Sequence, residues 1–320
     1  MVTISTTYSE LDKLNYKNCI ITIGSFDGIH LGHKKIFDKM NNLSKHKSIK
    51  NNKVLITFDP HPIAILKKEM DTKYYLSESV GEKIEILNNS DVYDIDIVII
   101  LEFNKSLSKI TASDFFNKII KSFSPTDVVM GYDNGFGYKR EGDIDFLKEN
   151  YSDKEFQLHS VNPEHNKGKK VISSSLIRAY IQTGKINKAN LMLGRYYSLN
   201  GIVVKGQSIG RTIDFPTINI LPNNQDQITP FSGVYFVHVI IGSDKYTGMC
   251  NIGIRPTVTN NKEETIEIHI FRVKRSKDFY GNEVKICFVD FIREEKKFDN
   301  IEFLAKQLKK DKKYCLSIKD

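Results

Sequence analysis

The stretch Ile21–Phe37, with the sequence ITIGSFDGIHLGHKKIF, decides the fold of the first half of the chain. A β-branched apolar run leads into a glycine-bearing turn, and two histidines three positions apart, His30 and His33, open a helix-like segment. The free N–H groups and the dipole of a helix N-terminus favour a phosphate, and first-turn histidines can add donors to it. We assign phosphate contacts in this turn to its glycines, Gly24, Gly28 and Gly32.

Two other interpretations of the histidine pair stay open at this point. Histidines three apart on a helix can bind zinc, although no neighbouring carboxylate or HExxH pattern supports a zinc site. They can also be ordinary surface histidines. Spacing alone does not decide among these roles.

The segments around this stretch alternate between strand-like and helix-like patterns. The apolar runs that end at a glycine or a polar residue are CIITIG (19–24), KVLITF (53–58), DIVII (96–100) and DVVMG (127–131). The helix-like segments are GHKKIFDKMNNL (32–43), SESVGEKIEILNN (77–89) and TASDFFNKIIKSF (111–123). This alternation predicts an α/β domain with a doubly wound parallel sheet, in which ligands bind outside the carboxyl ends of the strands.

Candidate polar groups follow two of these strands directly. TFDPHP (57–62) brings Asp59 to a strand end, and GYDNGFGYKREGD (131–143) follows the fourth strand with Asp133. Each segment by itself is equally consistent with an ordinary turn or loop.

A further phosphate site is suggested by KGKKVISSSLIR (167–178). Ser174 and Ser175 are suitable residues for a helix N-terminus, and Arg178 follows one turn later. Hydroxyls and a guanidinium in this arrangement suit the anionic oxygens of a phosphate. A plain N-cap with a surface arginine is the alternative interpretation.

After about residue 185 the pattern changes to short strands separated by Gly, Pro and Asn turns. The strand-like runs are SLNGIVVKG (198–206), GVYFVHVIIG (233–242), KYTGMCNIG (245–253), TIEIHIF (265–271) and EVKICFVDFI (283–292). They predict an antiparallel sheet or small barrel, followed by an amphipathic helix over 301–314. Two short helices joined at Gly184 separate the halves, so we divide the chain into domains 1–184 and 185–320.

Two segments of the second half carry candidate site residues. In FPTIN, Thr217 and Asn219 lie on the same side of an extended chain and can coordinate a hard cation or a phosphate oxygen. The same segment is also consistent with a turn or an edge strand. Along IEIHI, Glu267 and His269 share one face, so Glu267 is either a site residue or a solvent-facing carboxylate.

The composition excludes several classes of protein. Of 320 residues, 40% are hydrophobic and 27% charged, with no apolar run long enough for a membrane span, which predicts a soluble protein of two domains. The N-terminus has no signal-peptide pattern, and the four cysteines form no CxxC pair, which favours a reducing, cytoplasmic location. The net charge of +8 can attract phosphorylated small molecules or nucleic acid.

The first four segments, in the order GSFDGxHxGH, TFDPHP, GYDxxFG and ISSxxIR, resemble the adenylyltransferase half of the bacterial bifunctional riboflavin kinase/FAD synthetases. That half belongs to the HxGH nucleotidyltransferase superfamily. The resemblance implies that His30 and His33 hold the ATP phosphates and stabilise the transition state at the α-phosphorus, and that Asp133 contacts the flavin or the nucleotide. It assigns phosphate binding to Ser174, Ser175 and Arg178.

The second half resembles the riboflavin kinase domain of the same family over nearly all of 195–315. GRTxxFPTxN, GVYF, NIGxRPT, ExH, YG and FIREExKF occur there in family order. The resemblance implies a six-stranded antiparallel β-barrel in which Thr217 and Asn219 bind Mg²⁺ and the ATP phosphates. It further implies that Glu267 is the general base on the riboflavin 5′-hydroxyl and that Arg293 lines the flavin site.

Both resemblances together imply an ATP- and Mg²⁺-dependent enzyme that converts riboflavin to FMN and FMN to FAD. Its partners would be small molecules, with neither nucleic acid nor membrane, and its oligomeric state is not predicted. One alternative is a kinase with lost or reduced adenylyltransferase activity, since Leu176 and Asn134 replace a usual arginine and a usual aromatic residue. A flavin-sensing binding protein is the other alternative, against which Thr217, Asn219 and Glu267 argue because a sensor needs no base.

Overall fold

The structure is a computed structural model of the chain and describes residues 1–47, 51–66, 75–76, 79–88, 92–153, 155–206, 215–256, 262–273 and 278–318. The chain separates into two compact units. The first falls within Met1–Thr72 and Ser79–Ser174, and the second within Lys73–Glu78 and Ser175–Asp320.

The first unit alternates strands and helices along the chain. Its elements are β1 (Val2–Thr6), β2 (Cys19–Ile23), α1 (Leu31–Lys45), β3 (Asn52–Asp59), α2 (Pro62–Leu66), α3 (Val80–Leu87), β4 (Ile97–Glu102), α4 (Ala112–Phe123), β5 (Pro125–Gly131), α5 (Ile144–Asn150) and β6 (Gln157–Val161).

All neighbouring strands of this unit pair in parallel, in the order β1-β4-β3-β2-β5-β6. From β2 the chain extends the sheet on one side through β3 and β4, and on the other side through β5 and β6. The order therefore reverses between β2 and β5, and ligands of doubly wound sheets bind at such a switch point. The predicted parallel α/β sheet is confirmed, and the segments that carry His30 and Asp133 follow the two strands at the switch point.

Apolar side chains project from both faces of the sheet. Because both faces are buried, the inner strands are continuous apolar runs. Ile21 of β2 packs in a cluster with Phe116 of α4, whereas its neighbour Ile20 packs in a second cluster with Phe37 of α1. Each such fully buried side chain stabilises the fold by about 1.5–3 kcal/mol. These two layers of helices cover the sheet and leave its strand ends open for a site.

The edge strands β1 and β6 are absent from the sequence prediction, which identifies only the four inner strands. VTIST and QLHSV carry exposed polar residues along much of their length. An edge strand is covered less than an inner strand, so its sequence lacks the continuous apolar run on which the prediction depends.

The second unit contains antiparallel strands flanked by helices. Its elements are α6 (Ser174–Ile181), which begins at the last residue of the first unit, α7 (Ile186–Leu193), β7 (Tyr197–Val204), β8 (Ile218–Pro222), β9 (Gly233–Ile241), β10 (Asp244–Pro256), β11 (Lys262–Ile270), β12 (Glu283–Arg293) and α8 (Ile301–Ser317).

The six strands close into an antiparallel barrel in the order β10-β11-β8-β7-β12-β9, which confirms the predicted six-stranded barrel. Along β11, Ile266 and Ile268 are buried, and they alternate with Glu267 and His269. His269 contacts Lys312 of α8, and since a helix cannot fit inside a six-stranded barrel, Glu267 and His269 lie on its outer face.

Helix α8 covers part of that outer face. Its Cys315 is buried in a cluster with Phe215, Phe236 and Met249 of the barrel. Because α8 covers the outside, β9 is apolar on both faces rather than alternating. Within the described part of the chain, no helix has the length and apolar composition that crossing a bilayer requires.

Candidate functional site

The turn between β2 and α1 has an unusual backbone. Phe26 (φ +46°), Gly28 (φ +75°) and Ile29 (φ +35°) all adopt left-handed conformations, which are strained for the two non-glycine residues. The side chains of Phe26 and Ile29 are buried in the core beneath the turn and hold this backbone in place. Gly24 starts the turn, and its N–H donates to the carbonyl of Ile56 at 3.0 Å.

His30 and His33 bind each other reciprocally at the start of the 15-residue helix α1. The N–H of His33 donates to Nδ1 of His30, and the N–H of His30 donates to Nδ1 of His33, both at 3.3 Å. Their rings stack with centroids 3.6 Å apart. Since each Nδ1 accepts a backbone N–H, the neutral rings carry their protons on Nε2. The pair therefore presents Nε2–H donors at a helix N-terminus, which suits an anionic oxygen.

Gly32 makes this stacked arrangement possible. A Cβ at position 32 would lie 3.1 Å from the His30 ring and 3.1 Å from the carbonyl oxygen of Ile172. The third glycine of the predicted phosphate turn thus makes room for the first histidine. For the zinc interpretation, the described residues contain no group of His, Cys, Asp and Glu side chains that could hold a metal ion.

Ser174 contacts the same turn. Its Oγ donates to the carbonyl of Asp27 at 3.1 Å, which fastens the first residue of α6 to the backbone beside Gly28. Ser175 follows on α6 as an exposed residue, and Arg178 is half-buried one turn later.

The segment after β5 is tied to the end of β2 by Asn134. Its Nδ2 donates to the carbonyl of Ile23 at 3.1 Å, and its own N–H donates to the carbonyl of Gly131. The residue that departs from the family pattern thus connects the two strand ends at the switch point. Asp133 beside it is exposed, and its carbonyl accepts from Nη2 of Arg140 at 2.7 Å.

A buried lysine beneath the β2–α1 turn was missed by the sequence analysis. Nζ of Lys83, on α3, donates to the carbonyl of Ser25 at 2.7 Å and to Oγ1 of Thr57 at 3.0 Å. Burial lowers the pKa of Lys83 to about 8, against the opposing charges of Asp27 and Asp59. The sequence around Lys83 gives no signal that this side chain is buried, since a lysine in an amphipathic helix is ordinarily on the solvent side.

The predicted polar residues of the barrel gather on its outer face. Oγ1 of Thr217 lies 3.4 Å from Oε2 of Glu267. In the strand register Glu267 is directly opposite Asn219 of β8 and Asn251 of β10. Directly opposed residues have Cβ atoms about 5 Å apart on the same face. Thr217, Asn219 and Glu267 are therefore brought together, with Asn251 as an addition that the sequence analysis missed.

Gly206, just after β7, makes room for Asn219. A Cβ at position 206 would overlap the side-chain amide of Asn219. The segment 207–214, which includes the GRT part of the motif, lies outside the described residues.

His269 contacts the backbone directly before Thr217, next to the same group of residues. Burial lowers the pKa of His269, despite a hydrogen bond to the carbonyl of Pro216 that favours the charged form. The neutral ring therefore donates from Nδ1 to Pro216 at 2.9 Å, directly before Thr217 in the chain. This contact fixes the backbone at the start of β8.

Polar contacts continue from Asn251 to the FIREE segment. Nδ2 of Asn251 lies 3.5 Å from Oε1 of Glu295, and Oγ of Ser232 donates to Oε2 of Glu295 at 3.2 Å. The sequence pattern could not find this group, because its members come from three separate segments.

Arg293 is engaged with α8. Its Nε and Nη2 donate to Oδ2 of Asp311 at 2.9 and 2.8 Å, and Nη1 donates to the carbonyl of Glu294. Gln307 donates to the other oxygen of Asp311, which is buried. In this structure Arg293 holds α8 on the barrel, and its contact with a flavin stays a prediction.

Two family models match separate stretches of the chain. Residues 12–176 match the family model described as FAD synthetase, and residues 193–319 match the one described as riboflavin kinase. Both matches are to enzymes of flavin cofactor synthesis.

Curated relatives match almost the whole chain. The bifunctional riboflavin kinase/FMN adenylyltransferase of Buchnera aphidicola subsp. Acyrthosiphon pisum is 34% identical, over 92% of this chain and 91% of its own. The protein of the same name from Bacillus subtilis is 31% identical, over 99% of this chain and 98% of its own.

A solved structure from Streptococcus pneumoniae, described as a macrolide-efflux protein, is similar over 100% of both chains, with a TM-score of 0.85 and 26% identity. This likeness concerns the fold, and the efflux in its description is said of that protein.

Proposed function

We infer, since this chain belongs to the family of bifunctional riboflavin kinase/FMN adenylyltransferases, that it phosphorylates riboflavin to FMN and adenylylates FMN to FAD with release of pyrophosphate. ATP is the co-substrate of both steps. The observation that carries this conclusion is the presence of both polar groupings in one chain. The histidine pair lies on the stretch that matches FAD synthetase, and Glu267 on the stretch that matches riboflavin kinase.

We propose residues 1–184 as the adenylyltransferase domain and 185–320 as the kinase domain. The two matched stretches end at 176 and begin at 193, and Gly184, with φ +70°, lies between them at the junction of α6 and α7. The compact units divide one helix earlier, after Ser174.

For the kinase step, Glu267 is proposed as the base that takes the proton of the riboflavin 5′-hydroxyl. The hydroxyl oxygen attacks the γ-phosphorus of ATP, the bond from that phosphorus to the β,γ-bridging oxygen breaks, and ADP leaves. A loose phosphoryl-transfer transition state needs little activation of the nucleophile, so an ordinary carboxylate suffices when it is well placed. The position of Glu267 is supported by Thr217 at 3.4 Å and by the register with Asn219.

Thr217 and Asn219 are proposed to hold Mg²⁺ together with the ATP phosphates. The fit rests on chemistry, since the converging side chains of Thr217, Asn219 and Glu267 offer oxygen donors. Mg²⁺ prefers oxygen and is ordinarily bound by one or two protein groups plus phosphates and waters. When bound, it would neutralise charge on the β- and γ-phosphates.

For the adenylyl step, the FMN phosphate is itself the nucleophile that attacks the α-phosphorus of ATP, so the site needs positioning and positive donors. We assign those donors to the Nε2–H groups of His30 and His33 and the N-terminus of α1. Phosphate contacts are proposed for the turn glycines Gly24, Gly28 and Gly32. The resemblance of the ISSxxIR motif supports phosphate contacts for Ser174, Ser175 and Arg178 as well.

Flavin contacts are proposed for Asp133 in the first domain and Arg293 in the second. We further propose small-molecule substrates alone as partners and the cytoplasm as the location. All four cysteines are free, which suits a reducing compartment.

A time course with riboflavin, ATP and Mg²⁺ tests the function directly. FMN should form first and FAD second, with one pyrophosphate for each FAD, and purified FMN with ATP should also give FAD. FMN that accumulates without FAD, even when FMN is supplied, would favour the kinase with lost adenylyltransferase activity. Flavin binding without any product would leave only the sensor.

A further inference from the structure

The ammonium of Lys83 closes a triangle of hydrogen bonds beneath the β2–α1 turn. It donates to the carbonyl of Ser25 at 2.7 Å and to Oγ1 of Thr57 at 3.0 Å, and the Thr57 hydroxyl itself donates to Ser25 at 3.1 Å. Ser25 belongs to the turn, Thr57 to β3 and Lys83 to α3. A single side chain therefore links three elements at the carboxyl ends of the strands.

Folding stability does not account for this lysine. Lys83 is only 5% exposed, and lysines are almost never buried to this degree unless they are paired. Burial lowers its pKa to about 8, so at neutral pH the protein carries a charged group whose desolvation is unfavourable. Ser25 and Thr57 would keep their mutual hydrogen bond without it. An apolar side chain of similar length would fill the same space without that desolvation cost.

The position of the contact between Lys83 and Ser25 indicates a role in the turn rather than in stability. Ser25 directly precedes the left-handed residues Phe26, Gly28 and Ile29, which lead into His30. A strained turn keeps its shape only where its surroundings fix it, and Lys83 fixes the residue that directly precedes the strained part of this turn.

We propose that Lys83 is a positioning residue for adenylyl transfer, which holds the β2–α1 turn, and through it His30 and His33, in the geometry that receives the ATP phosphates. This inference rests on the proposed function of the site. Lys83 acts through the backbone of Ser25 and does not touch the substrate.

The test compares Lys83→Met with Lys53→Met, a matched loss of a buried lysine at the opposite end of the same sheet. Lys53 pairs with Asp94 at 2.7 Å and is the second residue of β3, whereas Thr57 lies near the end of that strand. Lys83→Met should lower kcat for FAD formation from FMN about ten-fold or more, with a smaller change in KM for FMN, because misplaced donors weaken mainly the transition state. Its thermal unfolding midpoint should be unchanged or higher. Lys53→Met should show the reverse, with a lower midpoint and normal kcat.

The pH dependence gives a second readout with a defined sign. The charged groups that act on Lys83 are Asp27 of the turn and Asp59 at the end of β3. Its folded pKa, about 8, lies below its unfolded value, so between the two the unfolded chain binds more protons. The stability of the wild type should therefore rise relative to Lys83→Met as pH increases from about 8. The rate of FAD formation should fall over the same range, because the neutral amine donates more weakly, and Lys83→Met should lack this decrease.

Two further measurements decide the matter if Lys83→Met does not fold. Thr57→Val removes one corner of the triangle and should lower the FAD rate about three- to five-fold. Amide hydrogen exchange across residues 24–33 should increase in Thr57→Val, and also in Lys83→Met where that variant folds.

Phosphorylation of riboflavin serves as the internal control and should be unaffected in every variant. Unchanged FAD rates together with unchanged amide hydrogen exchange across residues 24–33 would overturn the inference about Lys83. A wild-type protein that makes no FAD from FMN and ATP would overturn the proposed function itself.

Discussion

The two sites of this chain are built in opposite ways. In the first unit the candidate residues lie on turns that follow strands, and in the barrel they lie on or beside the strands themselves. Glu267, Asn219 and Asn251 are aligned by the register of three neighbouring strands. His30 and His33 have no such template and depend on contacts from separate segments.

Because the two sites are built differently, different substitutions should disrupt them. The turn of the first unit is fixed by the reciprocal histidine bonds, by Ser174, by Asn134 and by Lys83. Loss of any one should loosen the site while the sheet stays intact. A site on paired strands is already rigid, so it should respond mainly to changes in the reacting groups or in the space beside them.

The largest expected effect is that of His30→Ala. It removes the donor proposed to act at the α-phosphorus and the cap of α1, so FAD formation from FMN should fall about 10²–10³-fold. FMN formation from riboflavin should be unchanged, with both rates followed by chromatography. His46→Ala is the control, since His46 is an exposed histidine at the other end of the same helix. A parallel loss of FMN formation would contradict separate sites.

Glu267→Gln should produce the converse result. The amide keeps the shape of the side chain but cannot accept the hydroxyl proton, so FMN formation should fall about 10²-fold. FAD formation from supplied FMN should be unchanged. Glu264→Gln, an exposed position on the same strand, is the matched control and should have little effect. If both variants behave alike, Glu267 is not the base.

Gly206→Ala tests the space beside the barrel site. The new Cβ would displace the Asn219 amide, so FMN formation should fall about ten-fold, mainly through a higher KM for ATP. The double variant Gly206→Ala/Asn219→Ala should be no worse than Asn219→Ala alone, because both changes remove the same contact. Additive losses would show that Gly206 acts elsewhere.

Asn134→Ala should have the smallest effect. It removes the hydrogen bond to the carbonyl of Ile23, and a loss of about 1 kcal/mol corresponds to a roughly five-fold lower rate of FAD formation. Steady-state rates with FMN as the substrate measure it. A higher rate in the variant would mean that Asn134 impairs the site instead of supporting it.

Much of the fold could be predicted from the sequence, because central strands and amphipathic helices carry continuous patterns. The strands that begin at Cys19, Asn52, Ile97 and Pro125 were identified in this way. The edge strands β1 and β6 were not, since half-exposed polar strands resemble loops.

The residues of the candidate sites could be predicted only where they lie in a continuous sequence pattern. The histidine pair, Thr217 and Glu267 lie in compact motifs and could be found. Lys83 could not, because its partners Ser25 and Thr57 are 58 and 26 positions away in the chain, and only folding brings them together.

The most direct test of two independent sites is to mix the His30→Ala and Glu267→Gln proteins with riboflavin, ATP and Mg²⁺. Over the time that the wild type needs for both steps, the first alone should accumulate FMN and the second alone should leave most of the riboflavin unconverted. Mixed, they should make FAD, because FMN released by one protein is adenylylated by the other. A mixture that makes no FAD, or a His30→Ala protein that makes no FMN, would contradict the account.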